Sequence, residues 1–465
     1  MTPPPEESIF GTDGIRDRPG QGFLSHQSLE RLVRSTASLL RESRRFPEDF
    51  PGGDRDLILI ARDTRESGEG LRDVLSEVFT SCGHTVIDVG VLPTPGAAFL
   101  ASAWKGIALG VVISASHNPA EYNGVKFVTP TGAKISPDFE NAVTDAFWRN
   151  SNVGAPAARG KIVHRVDEAF EKYAAHLVQA CRRPERLKGH RVLLDLSNGA
   201  TFHVAPEVFR RLGLRVETMA DAPTGRNINE NCGALHPGIL AQAVADRGAS
   251  FGFCFDGDGD RMIPIAAGGT ILNGDHVLLL GGVHFLRAGR LPRQTVVATV
   301  MSNVGLEVGL RHHGISLLRT DVGDRNVYRA MIEGGHPLGG EQSGHLIFLE
   351  DARTGDGILA ALRLLDVLES DSLDLEREAS AMRQYPQLLV NVRVPEKKSL
   401  ESLPAVACAV KEAEDSLGDE GRVLLRYSGT EPVLRVMVEG PEQTRIRGLT
   451  SAICDAIKTS IPGSK

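Results

Sequence analysis

Short apolar runs alternate with amphipathic ones along most of this chain, and that alternation limits the possible folds more than any other feature. "DLILIAR" (56–62) has the apolar character of a strand covered on both faces. "GLRDVLSEVFTSCG" (70–83) has helical spacing and stops at a glycine, and "TVIDVG" (85–90) reads as a second strand. "TPGAAFLASAWKG" (94–106) is then a helix leading into the buried strand "GVVI" (110–113). "HRVLLDLS", "APEVFRRLG", "LRVETM", "ILAQAVADRG" and "ASFGFCFD" repeat the pattern between 190 and 256. "HVLLLGGVHFLRAG", "QTVVATV", "GLEVGLRHHG" and "ISLLRT" do so between 276 and 320. Such alternation predicts α/β layers with mixed, mainly parallel sheets.

The end of the chain differs. "LLVNVRV" (388–394), a helix near 401–416, "RVLLRYS", "VLRVMVEG" and a last helix (442–459) predict a smaller α+β domain with an antiparallel sheet. At 465 residues the chain is too long for one hydrophobic core. Seams near 160, 270 and 384 divide it into 1–160, 161–269, 270–384 and 385–465. The three α/β units share no strong residue-level repeat, although they can still repeat in structure.

Apolar residues make up 41% and charged residues 24%, with a net charge of −7 from interspersed acids and bases. That balance argues against a nucleic-acid partner. No apolar run reaches the ~20 residues needed to span a membrane, and the proline-rich, acidic start "MTPPPEES" is neither a signal nor a transit peptide. The six cysteines are widely spaced without a CxxC pair, so they read as reduced core or near-core thiols. A cytoplasmic protein is expected.

"FDGDGDRM" is the most specific local signal. Asp256, Asp258 and Asp260 alternate with glycine directly after an apolar strand. Three carboxylates so close repel one another unless a cation intervenes, and all-oxygen ligands suit Mg²⁺. A calcium EF-hand fails, because Arg261 and Ala267 occupy the places of its glycine and glutamate. An aspartyl-phosphate phosphatase also puts an Asp-x-Asp pair at a strand end, but leaves the third Asp and Arg261 unexplained.

"GVVISASHNPAEYNGVKF" (110–127) supplies a nucleophile in Ser116. His117 is its immediate neighbour, which places it badly as that serine's base, and no G-x-S-x-G elbow is present. A phosphate-carrying hydroxyl beside a metal needs no triad, because phosphoryl transfer runs on positioning and charge neutralisation. Asn118 and Pro119 would fix the turn, and Lys126 would aid proton transfer or neutralise phosphate. On its own, the stretch is equally a serine-rich helix cap.

"LLRYSGTEPVLRVM" places Arg426, Ser428, Gly429, Thr430 and Arg435 around a tight turn, a set suited to a phosphate dianion or, more plainly, a hairpin with surface arginines. "GGEQSGH" (339–345) sets Glu341, Ser343 and His345 on a glycine-rich loop able to hydrogen-bond sugar hydroxyls, or simply a polar loop. "FGTDGIRD" (10–17) puts Thr12 and Arg16 in another glycine turn.

Together these motifs, in this order, resemble the α-D-phosphohexomutase superfamily along essentially the whole chain, and within it the bacterial phosphoglucosamine mutases. "NINENCGALHP" (227–237), "VGDR" (322–325) and "TGDG" (354–357) carry the subgroup likeness. The resemblance implies four domains around a central cleft, three α/β and one smaller α+β. It implies Ser116 as a phosphoserine, and Mg²⁺ held by Asp256, Asp258 and Asp260 together with the Ser116 phosphate. Arg16 and Lys126 would flank the transferring group, supported by Arg261, with His345 nearby. Glu341 and Ser343 would hold sugar hydroxyls. Arg426, Ser428, Gly429, Thr430 and Arg435 would grip the phosphate that is not reacting. The implied reaction interconverts glucosamine 6-phosphate and glucosamine 1-phosphate through a 1,6-bisphosphate, with phosphoglucomutase or phosphomannomutase activity and a Mg²⁺-dependent sugar phosphatase as alternatives. The expected partner is a small sugar phosphate, and a homodimer is left open.

Overall fold

A computed structural model describes residues 8–52, 55–149, 158–368, 374–428 and 432–464. The first sheet has six strands: β1 (Ile15–Asp17), β2 (Leu57–Arg62), β3 (Thr85–Val91), β4 (Ile107–Ile113), β5 (Asn123–Val128) and β6 (Ile162–His164). Their order is β1-β5-β4-β2-β3-β6. The second sheet comprises β7 (Arg191–Asp195), β8 (Arg215–Met219), β9 (Phe251–Phe255) and β10 (Met262–Ala266), ordered β10-β9-β7-β8. The third comprises β11 (Thr295–Thr299), β12 (Ser316–Thr320), β13 (Leu338–Gly340) and β14 (Leu346–Phe348), ordered β12-β11-β13-β14.

One motif runs through all three. In each set of four consecutive strands, β2–β5, β7–β10 and β11–β14, the first pairs in parallel with the second and third, and the fourth returns antiparallel beside the third. The repeat that residue identity hides is therefore plain in topology. In every copy the link between third and fourth strand carries a signature loop: "SASHNP" after β4, "DGDGDR" after β9, "GEQSGH" after β13. The third strand is covered on both faces, as β4 and β9 show by being buried throughout. It delivers a polar loop at the sheet's carboxyl edge, where open α/β sheets bind ligands.

The last sheet is antiparallel, β15 (Gln387–Arg393), β16 (Arg422–Tyr427) and β17 (Val433–Glu439), ordered β15-β17-β16. Two helices, Pro404–Leu417 and Gln443–Ser460, cover the face that carries Val392, Leu434, Val436 and Val438. Arg426 and Arg435 therefore project from the opposite face.

A continuous apolar core runs through the three α/β sheets, joining residues such as Leu59, Tyr173, Phe253 and Leu362, whereas the C-terminal sheet has a core of its own. All six cysteines are free; five are buried, but Cys408 is exposed on a helix, contrary to the core reading. Among the described residues no helix is long and apolar enough to cross a membrane.

Candidate active site

The β4–β5 and β9–β10 loops meet face to face. Ser116 is buried with a left-handed backbone, φ +52°, and its Oγ donates to Asp256 Oδ2 at 2.7 Å. Gly257 makes the approach possible: a Cβ there would lie 2.5 Å from the Ser116 carbonyl oxygen. The same backbone twist swings His117 back, so that its Nδ1 lies 3.2 Å from Ser116 Oγ. Adjacency in sequence had argued against His117 as the base of that serine, and the ring nevertheless lies within hydrogen-bonding distance of it. Burial, then Arg261 and Arg16, lowers His117 to about 4, so the ring is neutral at neutral pH.

The three acids present one oxygen each within 4.8 Å of one another. Asp258 Oδ2 is occupied, accepting from Lys126 Nζ at 2.8 Å and Thr94 Oγ1 at 2.6 Å. Asp258 Oδ1 and Asp260 Oδ1, by contrast, are buried and accept no hydrogen bond. Orphaned carboxylate oxygens converging beside a hydroxyl are a cost without a cation and ligands with one. The donor set is all oxygen and fits a hard divalent ion. Burial, then Asp260 and Asp258, pushes Asp256 well above the ordinary carboxylate range. Asp260 suffers the same burial, but facing His345, Lys126 and Arg261 hold it below that range.

Lys126, buried on β5, pairs with Asp13 at 2.6 Å as well as with Asp258. Burial opposes its charge, but Asp13 and Asp258 outweigh it and raise the ammonium above its ordinary value. A lysine held charged in this way is suited to neutralising an anion and poorly suited to accepting a proton. Arg16 pairs with Asp13 at 3.0 Å and donates to Asn118 Oδ1 at 3.4 Å. Arg261 Nε stands 3.8 Å from Asp260 Oδ1.

The β13–β14 loop arrives from the third sheet. Glu341 Oε1 accepts the backbone N–H of Gly323 at 3.1 Å, and Ser343, exposed, donates to Glu341 Oε2 at 3.4 Å. Gly355 N–H donates to His345 Nε2 at 3.0 Å, which leaves the ring proton on Nδ1, facing Asp260 Oδ2 at 3.5 Å. In the C-terminal sheet Arg426 and Arg435 are direct cross-strand partners. Arg435 Nε is buried without a hydrogen-bond partner, and burial followed by Arg435 lowers Arg426 from its usual value. Ser428 is buried beside them, its carbonyl accepting from Lys397 at 2.7 Å. Gly429 and Thr430 lie outside the described residues.

Family models for the four phosphoglucomutase/phosphomannomutase domains match in succession: domain I at 7–153, II at 171–269, III at 273–385 and the C-terminal domain at 389–456. The chain belongs to this family. Among curated relatives, the phosphoglucosamine mutase of Geotalea daltonii is 40% identical over 99% of both chains. That of Symbiobacterium thermophilum is 41% identical over 97% of this chain and 99% of its own. A solved phosphoglucomutase/phosphomannomutase family protein from Burkholderia thailandensis shares the fold at a TM-score of 0.79 and 24% identity, over 98% of each chain. The Aspergillus fumigatus N-acetylphosphoglucosamine mutase, solved with GlcNAc-6P and magnesium, does so at 0.66 and 17%, over 97% of this chain and 95% of its own.

This phosphohexomutase also assembles residues that no motif singled out. Lys134 pairs with both Asp13 and Asp324, and Arg325 pairs with Glu140 through two bonds, one of 2.7 Å. Asp324 and Arg325 are the last two residues of "VGDR", so this marker ties the third unit to the first beside the site. Thr94 gave no signal at all; its role appears only when the helix start at Thr94 meets the β9–β10 loop.

Proposed function

We propose that the protein is a phosphoglucosamine mutase, interconverting glucosamine 6-phosphate and glucosamine 1-phosphate. The observation that carries this reading is Ser116 Oγ held against Asp256, beside two buried carboxylate oxygens with no hydrogen-bond donor, while a separate pair of arginines lies in the C-terminal unit. Two anion sites with one hydroxyl nucleophile suit a reaction that moves phosphate between two positions of one sugar. The full-length phosphoglucosamine mutase relatives support the amino sugar as substrate.

Asp256, Asp258, Asp260 and phospho-Ser116 would hold Mg²⁺, which when bound neutralises charge on the transferring phosphoryl group. Ser116 carries the phosphoryl group and gives it to the free sugar hydroxyl; its Oγ–P bond breaks as the sugar O–P bond forms, and the hydroxyl's proton ends on the released Ser116 Oγ. The resulting 1,6-bisphosphate turns over in the cleft and returns its other phosphate to Ser116. Lys126, Arg16 and Arg261 supply fixed positive charge around that group, and His345 keeps Asp260 oriented. Glu341 and Ser343 hold sugar hydroxyls; Arg426, Ser428 and Arg435, with Gly429 and Thr430, grip the idle phosphate. The domains run 1–160, 161–269, 270–384 and 385–465 in a cytoplasmic enzyme.

Two measurements test this. After incubation with a hexosamine 1,6-bisphosphate, intact mass spectrometry should find one phosphoryl group on the wild type and none on Ser116→Ala; an unmodified wild type defeats the mutase reading. Glucosamine 6-phosphate should give the highest kcat/KM among glucosamine, glucose and mannose 6-phosphates. A better result with glucose or mannose makes the protein a phosphoglucomutase or phosphomannomutase instead.

A further inference from the structure

Ser116 occupies a left-handed backbone region, φ +52°, that is unfavourable for a non-glycine residue, so neighbouring structure must impose it. The main agent is Arg65, which is fully buried. Its guanidinium gathers carbonyl oxygens of the serine turn. One terminal nitrogen donates to Ser116 at 3.0 Å and Asn118 at 2.8 Å. The other donates to Tyr122 at 2.9 Å and to Pro119. Nε completes the set on Asp63 Oδ2 at 2.9 Å, also fully buried.

All five N–H donors of the guanidinium are thus used within the protein, and none is left for phosphate. Asp63 also receives Ser114 Oγ at 2.6 Å, and that hydroxyl accepts the Ser116 N–H at 2.9 Å. Both backbone polar groups of Ser116 are therefore fixed from one buried ion pair. A second hold comes from the neighbouring unit: Asn229 Nδ2 donates to the Ser116 and Asn118 carbonyls at 2.9 and 3.1 Å. Asn229 lies in the "NINEN" segment, a subgroup marker to which no chemistry had been attached.

A buried ion pair is poor value as a stabiliser compared with apolar packing. Its one distinctive product here is the shape of a single turn. We propose that Arg65, assisted by Asn229 from the second unit, is a positioning residue that holds Ser116 in the left-handed conformation aiming Oγ at Asp256. The proposal rests on Ser116 being the phosphoryl carrier. Because the sugar-binding loops lie in the third and fourth units, the clamp acts on the transfer step and not on sugar affinity.

Arg65→Lys keeps the charge beside Asp63 but cannot span four carbonyls. Its kcat, divided by the fraction of enzyme that intact mass shows phosphorylated, should fall ~10²-fold, the scale of a 1 Å misplacement. KM for glucosamine 6-phosphate should move less than ~3-fold, as expected when an interaction serves the transition state alone. Asn229→Gly, which keeps the left-handed φ of +60° open at this partly exposed position, should show the same split with a drop of ~10-fold on the same scale. A merely structural role would lower the phosphorylated fraction and leave turnover per phosphorylated site unchanged in both variants, which overturns the proposal. A rise in KM with unchanged kcat overturns it too. A wild type that never gains phosphate defeats the carrier reading itself, an outcome separate from normal turnover in the two variants.

Discussion

Around Ser116 the cations are matched to acids before any ligand arrives, whereas at the Arg426–Arg435 pair two guanidiniums confront one another. Lys126 sits between Asp13 and Asp258, and Arg16 rests on Asp13. Arg426 and Arg435 have no carboxylate ion pair among the described residues, and like charges opposite one another on adjacent strands are destabilising. Asp321, from the β12–β13 segment, offsets this only in part, since burial and Arg435 still win at Arg426. The first arrangement has little to reorganise during transfer, as electrostatic catalysis requires. The second is relieved by an arriving dianion, which suits a site that must capture phosphate and release it. The apolar core of the C-terminal unit is separate from that of the three α/β units, and hydrogen bonds from Asn303 to Glu439 and from Arg422 to the Ser302 carbonyl join it to the third unit.

If this contrast is right, damage at the two places should differ in kind. The largest loss should follow at the centre: chelating the divalent cation, or Asp260→Asn, should lower kcat by ~10³-fold, the scale of losing a focused electrostatic contact. Mg²⁺ should restore the chelated wild type but not the variant. Arg435→Ala should instead raise KM for the sugar phosphate ~10–100-fold, equivalent to about 1.5–3 kcal/mol for a lost charged hydrogen bond, with kcat within ~3-fold. Equal falls in kcat from both changes would erase the distinction.

The smallest effect concerns the joint between the two. Asp275 Oδ2 accepts from Gln342 in the sugar loop at 3.1 Å and from the Asn303 N–H at 2.8 Å. Asn303 in turn donates to Glu439 on β17 at 3.2 Å. Burial raises Asp275 to about 6. A carboxyl held above its unfolded value near 4 contributes stability at low pH that fades as pH rises through 6. Between pH 5 and 7 the wild type should lose about 1 kcal/mol relative to Asp275→Asn. Denaturant titrations of both proteins at the two pH values would measure it, and parallel curves would show the carboxyl is not strained.

What the sequence revealed divides along the same physical line. Ser116, the three aspartates and the sugar loop were legible because each lies in one contiguous motif whose spacing has a chemical reason. The alternating strands were legible because their periodicity is local. Arg65, Lys134 and Asn229 were not, since each matters only through partners scores of residues away: Arg65 is 51 positions from Ser116, and Asn229 is 113. Nor does a helical start at Thr94 or a neighbour such as His117 declare its contacts, which depend on a crossing of two units or on one backbone angle. Cys408 escaped for the opposite reason, being placed on a helix face where a small apolar side chain tolerates water.

The hairpin that recurs between the third and fourth strands of each α/β unit has a consequence for how such a chain changes over generations. The loops proposed to carry the nucleophile, the cation ligands and the sugar contacts each occupy the same socket in a different copy of one module. On the proposed assignment a substitution at Glu341 or Ser343 would alter which sugar is received, whereas His345 of the same loop faces Asp260 and ties it to the aspartate socket. New substrates are open to this architecture by local loop divergence, while the inherited transfer chemistry stays intact.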